Sequence, residues 1–344
     1  MKRVLHVISQ LEDGGAQRQL AYLLEHAVGY EMEVAALTAS PEEKLFPAFR
    51  KSGVPIHFCS NSSDYYAPEI LPDLRAVMRA GQYALAHLWL YQSIVQGVIS
   101  CRLEDTPCIA SPRSMRDAME YEKNKTWEKW LVSKTLNLAD IVLFPSGSSA
   151  VDFVDAGWCN PARARVVLNG VDTDYFCPQK KGTAIVTVAR DSNIKCLDDL
   201  DEIVTRLRTH FPELRGIVAG TSQSRRASLQ SAGYVNDVRE ILREGAIFVS
   251  TSLTEGMSNA LLEAQSMGIP AIARKVGANS EIIEDGVTGF LAANLDEMYQ
   301  ACKTLLEAPD LMEEMGKKAR DRMVAQFSIK DQIKKIETVY SELV

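Results

Sequence analysis

Two carboxylates that could act on one substrate, Glu255 and Glu263, lie eight positions apart in the sequence. Ser258 between them is a favoured N-cap residue, and Gly268 is a favoured residue just beyond a helix end. We therefore predict a helix that begins just after Ser258, so that Glu255 precedes it and Glu263 lies one to two turns along it. Such a pair can hold sugar hydroxyls on either side of a diphosphate. A capped helix with one acidic surface residue is the structural alternative.

The start of this predicted helix also provides an anion site. Gly256 allows close approach of the backbone, and the first N–H groups of a helix have no partner within it. The helix dipole favours a negative group at the same place. Gly256, Met257, Ser258 and Asn259 are therefore candidates for binding a diphosphate.

Two basic residues, Arg190 and Lys195, follow a predicted strand at 185–189. They could clamp a diphosphate and neutralise the charge that builds on a leaving group, although two solvated basic residues in a loop are equally consistent. After the first predicted strand, Gly14 and Gly15 open a helix. Paired glycines there let backbone amides approach a phosphate or a sugar, and a plain tight turn is the alternative.

The stretch 252–264, which contains Glu255 and Glu263, resembles the E-x7-E motif of retaining glycosyltransferases of the GT-B fold, specifically glycosyltransferase family 4 (group 1). The run at 276–291 resembles the next block of that family. The resemblance is strong over 140–295 and weaker over 1–140. It implies that Glu255 contacts the transferred sugar and that Glu263 binds the ribose hydroxyls of the donor.

The same resemblance assigns Gly14 and Gly15 to a glycine loop of the N-terminal domain, and Arg190 and Lys195 to the donor diphosphate. It implies transfer of a sugar from a nucleoside-diphosphate sugar, with UDP favoured, to an acceptor hydroxyl in glycan or polysaccharide assembly. It also implies that no metal is needed and that there is no cofactor, the nucleotide-sugar being a substrate. A sugar-nucleotide epimerase and a non-catalytic nucleotide-sugar binding protein stay open as alternatives.

His87 and Arg113 join Glu255 as catalytic candidates. His87 ends a predicted strand at 84–87, at the edge where a ligand should bind, and resembles a cleft histidine of the family; a core histidine is the alternative. Where many family members have a histidine near the transferred sugar, this sequence has Arg113, which we predict supplies a cation there. Cys196 replaces the glycine that usually follows the clamp lysine.

The elements that would position these residues are eleven short apolar runs that alternate with amphipathic stretches. Such runs suit parallel strands buried on both faces, and eleven exceed what one open sheet usually carries. We predict an α/β protein with two Rossmann-like, doubly wound parallel sheets that face a central cleft, as in GT-B. The predicted domains are an acceptor-side domain at 1–176 and a donor-binding domain at 177–327 that is smaller than is usual in the family. We also predict a C-terminal helix at 328–344 that packs back on the first domain.

Composition excludes several other functions. A formal net charge of -7 argues against nucleic acid as the main partner. The seven cysteines contain no C-x-x-C pair, which favours free thiols over a zinc site or disulfides. No apolar stretch reaches the roughly 18 residues that would span a bilayer. We predict a cytoplasmic protein; a lipid-linked or glycan acceptor and peripheral contact with the inner face of a membrane, through 102–134, stay open.

Overall fold

The computed structural model describes residues 1–40, 47–121, 126–179, 182–221 and 226–344. The chain forms two compact units, one of Met1–Asn169 with Lys330–Val344 and the other of Gly170–Ile329. The boundary at which the chain passes from the first unit to the second lies at 169/170, before the predicted boundary at 176/177. The reason is that Val171 pairs its backbone with the 327–329 segment of the second unit, accepting a bond from the Ile329 N–H at 3.0 Å.

The first unit is built on a parallel sheet with strand order β3-β2-β1-β4-β5-β6-β7. Its strands are β1 Lys2–Ile8, β2 Tyr30–Ala36, β3 Ile56–Phe58, β4 Leu85–Trp89, β5 Cys108–Ser111, β6 Ile141–Phe144 and β7 Ala164–Val166. Its helices are α1 Gly15–His26, α2 Pro47–Ser52, α3 Ile70–Gly81, α4 Tyr91–Leu103, α5 Ala118–Tyr121, α6 Thr126–Leu136 and α7 Gly147–Asp155. The chain reverses its direction of winding between β1 and β4, which is where open parallel sheets bind ligands.

The second unit is a parallel sheet with strand order β10-β9-β8-β11-β12-β13. Its strands are β8 Ala184–Val188, β9 Gly216–Ala219, β10 Leu229–Ser231, β11 Gly245–Ser250, β12 Ala271–Arg274 and β13 Gly289–Ala292. Its helices are α8 Leu197–Leu207, α9 Arg239–Arg243, α10 Asn259–Ser266, α11 Asn279–Ile282, α12 Leu295–Glu307 and α13 Pro309–Gln326. Here the winding reverses between β8 and β11.

The last helix, α14 Ile329–Ser341, packs in the first unit. Tyr340 is fully buried there, and the Glu337 carboxylate accepts the backbone N–H groups of Val28 and Gly29. Its apolar stripe of Ile333, Ile336 and Tyr340 has helical spacing, and all three side chains are buried. None of the described helices is long and apolar enough to cross a bilayer.

The structure departs from the sequence prediction mainly at sheet edges. Strands β10 and β13 were not predicted, because an edge strand needs no continuous apolar run. The strand predicted at 84–87 runs from 85 to 89. The segment 115–138 contains α5 and α6, and residues 122–125 between them lie outside the described residues.

Candidate functional site

Helix α10 begins where its sequence predicts. Ser258 is the N-cap, and its Oγ accepts the Leu261 N–H at 3.4 Å. Glu255 therefore lies in the loop before the helix. Glu263 lies on it, and only 3% of its surface is exposed. Gly256, Met257 and Ser258 are buried and Asn259 is half-buried, so the four form a packed helix start rather than a solvated loop.

Lys195 and Glu255 form an ion pair, with Lys195 Nζ 2.5 Å from Glu255 Oε1. Only 29% of the lysine side chain and 11% of the glutamate side chain are exposed. In an environment shielded from water, such a charge-assisted bond holds both groups in one orientation. The predicted diphosphate cation and the predicted sugar carboxylate therefore belong to one site.

A small polar pocket surrounds this pair at the carboxyl ends of β8 and β11, where the sheet reverses its winding. Lys195, Glu255 and Ser258 line it. It is completed by four hydroxyl residues and three apolar ones, namely Thr187, Ser250, Thr251, Ser252, Val188, Ala189 and Phe248. Sequence reasoning missed the hydroxyl residues, although the run 250–252 directly precedes the E-x7-E segment. Hydroxyls can donate to phosphate oxygens or accept from sugar hydroxyls.

The loop that carries Lys195 is tied to the pocket by its backbone. The Leu253 N–H donates to the Ile194 carbonyl at 2.8 Å, and Thr251 Oγ1 donates to the Lys195 carbonyl at 2.8 Å. Cys196 has φ 44 and ψ 52, the left-handed region that favours glycine. The chain thus keeps a glycine-like backbone at the position where this sequence departs from the family pattern. Arg190 is exposed and, of the described residues, none forms an ion pair with it.

The block at 276–291 supports the loop before α10. The Ala278 N–H donates to the Glu255 carbonyl at 3.2 Å. Gly277 has φ 48, and a Cβ placed on it would lie 1.9 Å from the same carbonyl oxygen. Only glycine fits here, because both the backbone angle and the space exclude a side chain. Gly277 thus positions the backbone of Glu255.

We expect Gly277→Ala to lower turnover about 10-fold or more, because a misplacement of about 1 Å at a reacting group can cost up to 10²-fold. Gly286→Ala is the matched control, since Gly286 also has a left-handed φ of 73 but open space around it. Both variants should lose about 1–2 kcal/mol of stability from the left-handed angle. Gly277→Ala should lose more than that, because its Cβ also meets the Glu255 carbonyl oxygen. Thermal unfolding and donor turnover of the two proteins separate these effects. Equal turnover in both would contradict the positioning role.

In the first unit, Gly14 and Gly15 lie at the start of α1, as predicted. Gly14 is the N-cap with extended backbone, φ -173 and ψ 166, and no side chain caps this end. A Cβ on Gly14 would lie 2.5 Å from Oε1 of the Gln17 side chain, which would have to shift to make room for it. The Gln17 amide is held by the Gln10 carbonyl at 3.1 Å.

The prediction that His87 ends its strand is wrong, because β4 continues to Trp89. His87 is fully buried, with Nδ1 2.7 Å from the Tyr340 hydroxyl and Nε2 2.8 Å from Ser111 Oγ. Burial lowers the pKa of His87 well below its usual value, and the nearby His6 and Arg113 add to the shift. A neutral imidazole with both nitrogens occupied suits a positioning residue better than one that touches substrate.

Arg113 follows β5 at the carboxyl edge of the first sheet and is half-buried. Its guanidinium lies 5.0 Å from the centre of the Trp89 ring, and Nη2 donates to Asn169 Oδ1. Its φ of 68 is left-handed, which is uncommon for a residue with a side chain. The structure therefore gathers Lys195, Glu255 and Ser258 in one pocket, whereas Glu263 lies deeper on α10, and His87 and Arg113 belong to the first unit.

Comparison with known proteins agrees with these features. Residues 13–175 match the family described as Glycosyltransferase Family 4, and residues 182–308 match Glycosyl transferases group 1. The UDP-Gal:alpha-D-GlcNAc-diphosphoundecaprenol alpha-1,3-galactosyltransferase of Escherichia coli is 23% identical over 83% of this chain and 82% of its own length. The alpha-maltose-1-phosphate synthase of Mycolicibacterium smegmatis is 22% identical over 74% of this chain and 78% of its own length.

Solved structures show the same fold. Anabaena HepE in complex with UDP-glucose is 16% identical with a TM-score of 0.86, over 99% of this chain and all of that one. The sucrose-phosphate synthase of Thermosynechococcus elongatus is 16% identical with a TM-score of 0.83, over 100% of this chain and 99% of that one. Both sheets and the two family matches lead to one conclusion. The chain has the GT-B fold and belongs to glycosyltransferase family 4 (group 1), a family of retaining enzymes that use nucleotide-sugar donors.

Proposed function

We propose that this chain is a retaining glycosyltransferase that moves a sugar from a UDP-sugar to an acceptor hydroxyl in glycan or polysaccharide assembly. The observation that carries the proposal is the Lys195–Glu255 pair beside the N-cap of α10, in a polar pocket where the sheet reverses its winding. A cation, a carboxylate and the amides of a helix start are the groups that a sugar diphosphate needs.

Each residue has a role in this proposal. Glu255 faces the transferred sugar, and Lys195 and Arg190 neutralise the departing diphosphate together with the first amides of α10. Glu263 binds the ribose hydroxyls. The bond between the anomeric carbon and the phosphate oxygen breaks, and the acceptor oxygen bonds to that carbon from the same face. The acceptor proton passes to the departing diphosphate.

UDP as the carrier is supported by relatives whose names include it, the galactosyltransferase of E. coli and the HepE complexes. A thermal-shift panel of UDP, GDP, ADP and their sugars tests the choice. A ligand at 100 times its Kd stabilises a protein by about 2.7 kcal/mol, so one base should raise the melting temperature more than the others.

An epimerase would convert the donor into another nucleotide-sugar. A binding protein would leave the donor intact, so product analysis separates both from a transferase.

We expect Glu263→Ala to weaken UDP binding by about 1.5–3 kcal/mol, the usual loss for hydrogen bonds to a charged group. Because Glu263 is buried, Glu263→Gln serves as a second variant that keeps the shape. Glu307→Ala, at a solvent-exposed carboxylate, is the control. Calorimetry with UDP and a melting curve on each protein check the result. Unchanged UDP affinity in both Glu263 variants would remove this residue from the site.

We also propose a lipid-linked acceptor and peripheral membrane contact through α6. Trp127 and Trp130 are three positions apart on this helix and are 45% and 61% exposed, and Leu138 beyond it is 51% exposed. Aromatic side chains of this kind favour the membrane interface. Wild-type protein should sediment with phosphatidylglycerol vesicles. A Trp127→Ser/Trp130→Ser variant should bind at least about 10-fold more weakly. Equal sedimentation of both proteins would contradict the proposed contact.

A further inference from the structure

We infer that Arg113 binds a phosphate group carried by the acceptor. The inference rests on the proposed function, since it names the chemistry of the molecule that receives the sugar. It depends on four features of Arg113, namely its missing counter-ion, its fixed orientation, its neutral surroundings and its place at the sheet edge.

Arg113 differs from other arginines of the first unit in its partners. Seven of the nine others form ion pairs with carboxylates, namely Arg3, Arg18, Arg75, Arg79, Arg102, Arg116 and Arg165. Of the remaining two, Arg50 is exposed, and Arg163 donates to the backbone carbonyls of Asn137 and Ala139. Arg113 has no carboxylate partner among the described residues, and the acceptor that it contacts is the neutral amide oxygen of Asn169. A half-buried cation costs free energy unless an anion compensates it. An arginine that is kept this way is therefore available to an anionic ligand.

The guanidinium is held in place before any ligand arrives. One face lies over Trp89, and one nitrogen is fixed by Asn169. Trp89 is itself fully buried, and its Nε1–H donates to His6 Nδ1 at 3.2 Å. A planar guanidinium that is fixed on one side offers its remaining N–H groups in a fork, the geometry that matches two phosphate oxygens.

Three titratable side chains near Arg113, His6, His87 and Tyr340, are uncharged at neutral pH. Burial lowers the pKa of His6 to about 3 and that of His87 well below its usual value, so both imidazoles are neutral. Burial also lowers the pKa of Arg113 to about 10, which still leaves it charged at neutral pH. Tyr340, which also lies near Arg113, is kept neutral because burial raises its pKa. Arg113 therefore contributes the local positive charge.

The place of Arg113 is the carboxyl edge of the first sheet, where open parallel sheets bind ligands. Two non-glycine residues with left-handed φ lie at this edge, Leu90 after β4 with φ 73 and Arg113 after β5 with φ 68. Such backbone costs about 1–3 kcal/mol and is concentrated at binding sites. Strain, charge and orientation thus coincide at one point of the first unit.

The test uses calorimetry on the full chain with inorganic phosphate, glucose 1-phosphate and UDP as separate probes. Wild-type protein should bind inorganic phosphate and glucose 1-phosphate, and Arg113→Gln should weaken both by about 10-fold or more, because one charge-assisted fork is lost. Arg113→Lys, which keeps the charge but not the fork, should lie between. Arg79→Gln is the matched control, since Arg79 pairs with Glu104, and should match the wild type. UDP affinity should be the same in all four proteins.

Two results would overturn the inference. Undiminished phosphate affinity in Arg113→Gln, with a lowered melting temperature, would make Arg113 a structural residue. A loss of UDP affinity in Arg113→Gln without a loss for the other two probes would assign the cation to the donor. Failure of UDP to bind the wild-type protein would instead count against the proposed function, so the two failures are distinguishable.

Discussion

Glu255→Gln is expected to lower sugar transfer by about 10²-fold or more while leaving UDP affinity nearly unchanged. The variant keeps the shape and one acceptor oxygen but removes the charge that can stabilise an electron-poor anomeric carbon. A factor of 10² corresponds to about 2.7 kcal/mol at the barrier. The Glu255 side chain is only 11% exposed, so solvent would screen its charge little.

The structure sharpens this test, because Lys195 is the partner of Glu255. The amide oxygen of glutamine can still accept from Lys195 Nζ, so the fold of the loop should survive. Glu284→Gln, at an exposed carboxylate of the same unit, should keep full turnover. If Glu255 only supported the helix dipole, the variant would lose at most about 1 kcal/mol of stability. Normal turnover with a lowered melting temperature would thus make Glu255 structural.

Lys195→Met is expected to have the second large effect, lowering kcat by about 10²–10³-fold, the usual loss when one transition-state donor is removed. Turnover should fall by more than UDP affinity, because the charge on the diphosphate is greatest as it departs. The variant also leaves the Glu255 carboxylate without its partner, so some stability should be lost.

Arg190→Ala should have a smaller effect on turnover than Lys195→Met and none on stability, because Arg190 is exposed.

Steady-state kinetics, UDP calorimetry and melting curves on these proteins check the assignment. Lys275→Met is a control on an exposed lysine of the same unit. The double variant Lys195→Met/Glu255→Gln completes a double-mutant cycle. Its loss of transition-state stabilisation, taken from kcat, should be smaller than the sum of the losses in the two single variants, because the two residues are in contact. Wild-type kcat in Lys195→Met would contradict the role of the lysine in the diphosphate clamp.

Much of the α/β architecture could be predicted from local sequence. The central strands β1, β4, β8 and β11 are rich in apolar residues because both of their faces are buried, and such runs are visible in the residues alone. Helix α10 was predicted from Ser258, since an N-cap and its bond to the third residue of the helix are local contacts. The order of Glu255 before the helix and Glu263 on it follows directly from that start.

The tertiary structure decided what these elements bring together. Lys195 and Glu255 are 60 residues apart in sequence, and only the neighbouring positions of β8 and β11 make them partners. The Ser250–Ser252 hydroxyls became pocket residues for the same reason. Nothing in the residues next to His87 indicates that it is buried. Its contact with Tyr340 of the last helix joins residues that are 253 positions apart in the sequence. Periodicity and capping are set by neighbours in the chain. Pairing, burial and charge compensation depend on residues that are distant in sequence, and those contacts exist only after the sheets have formed.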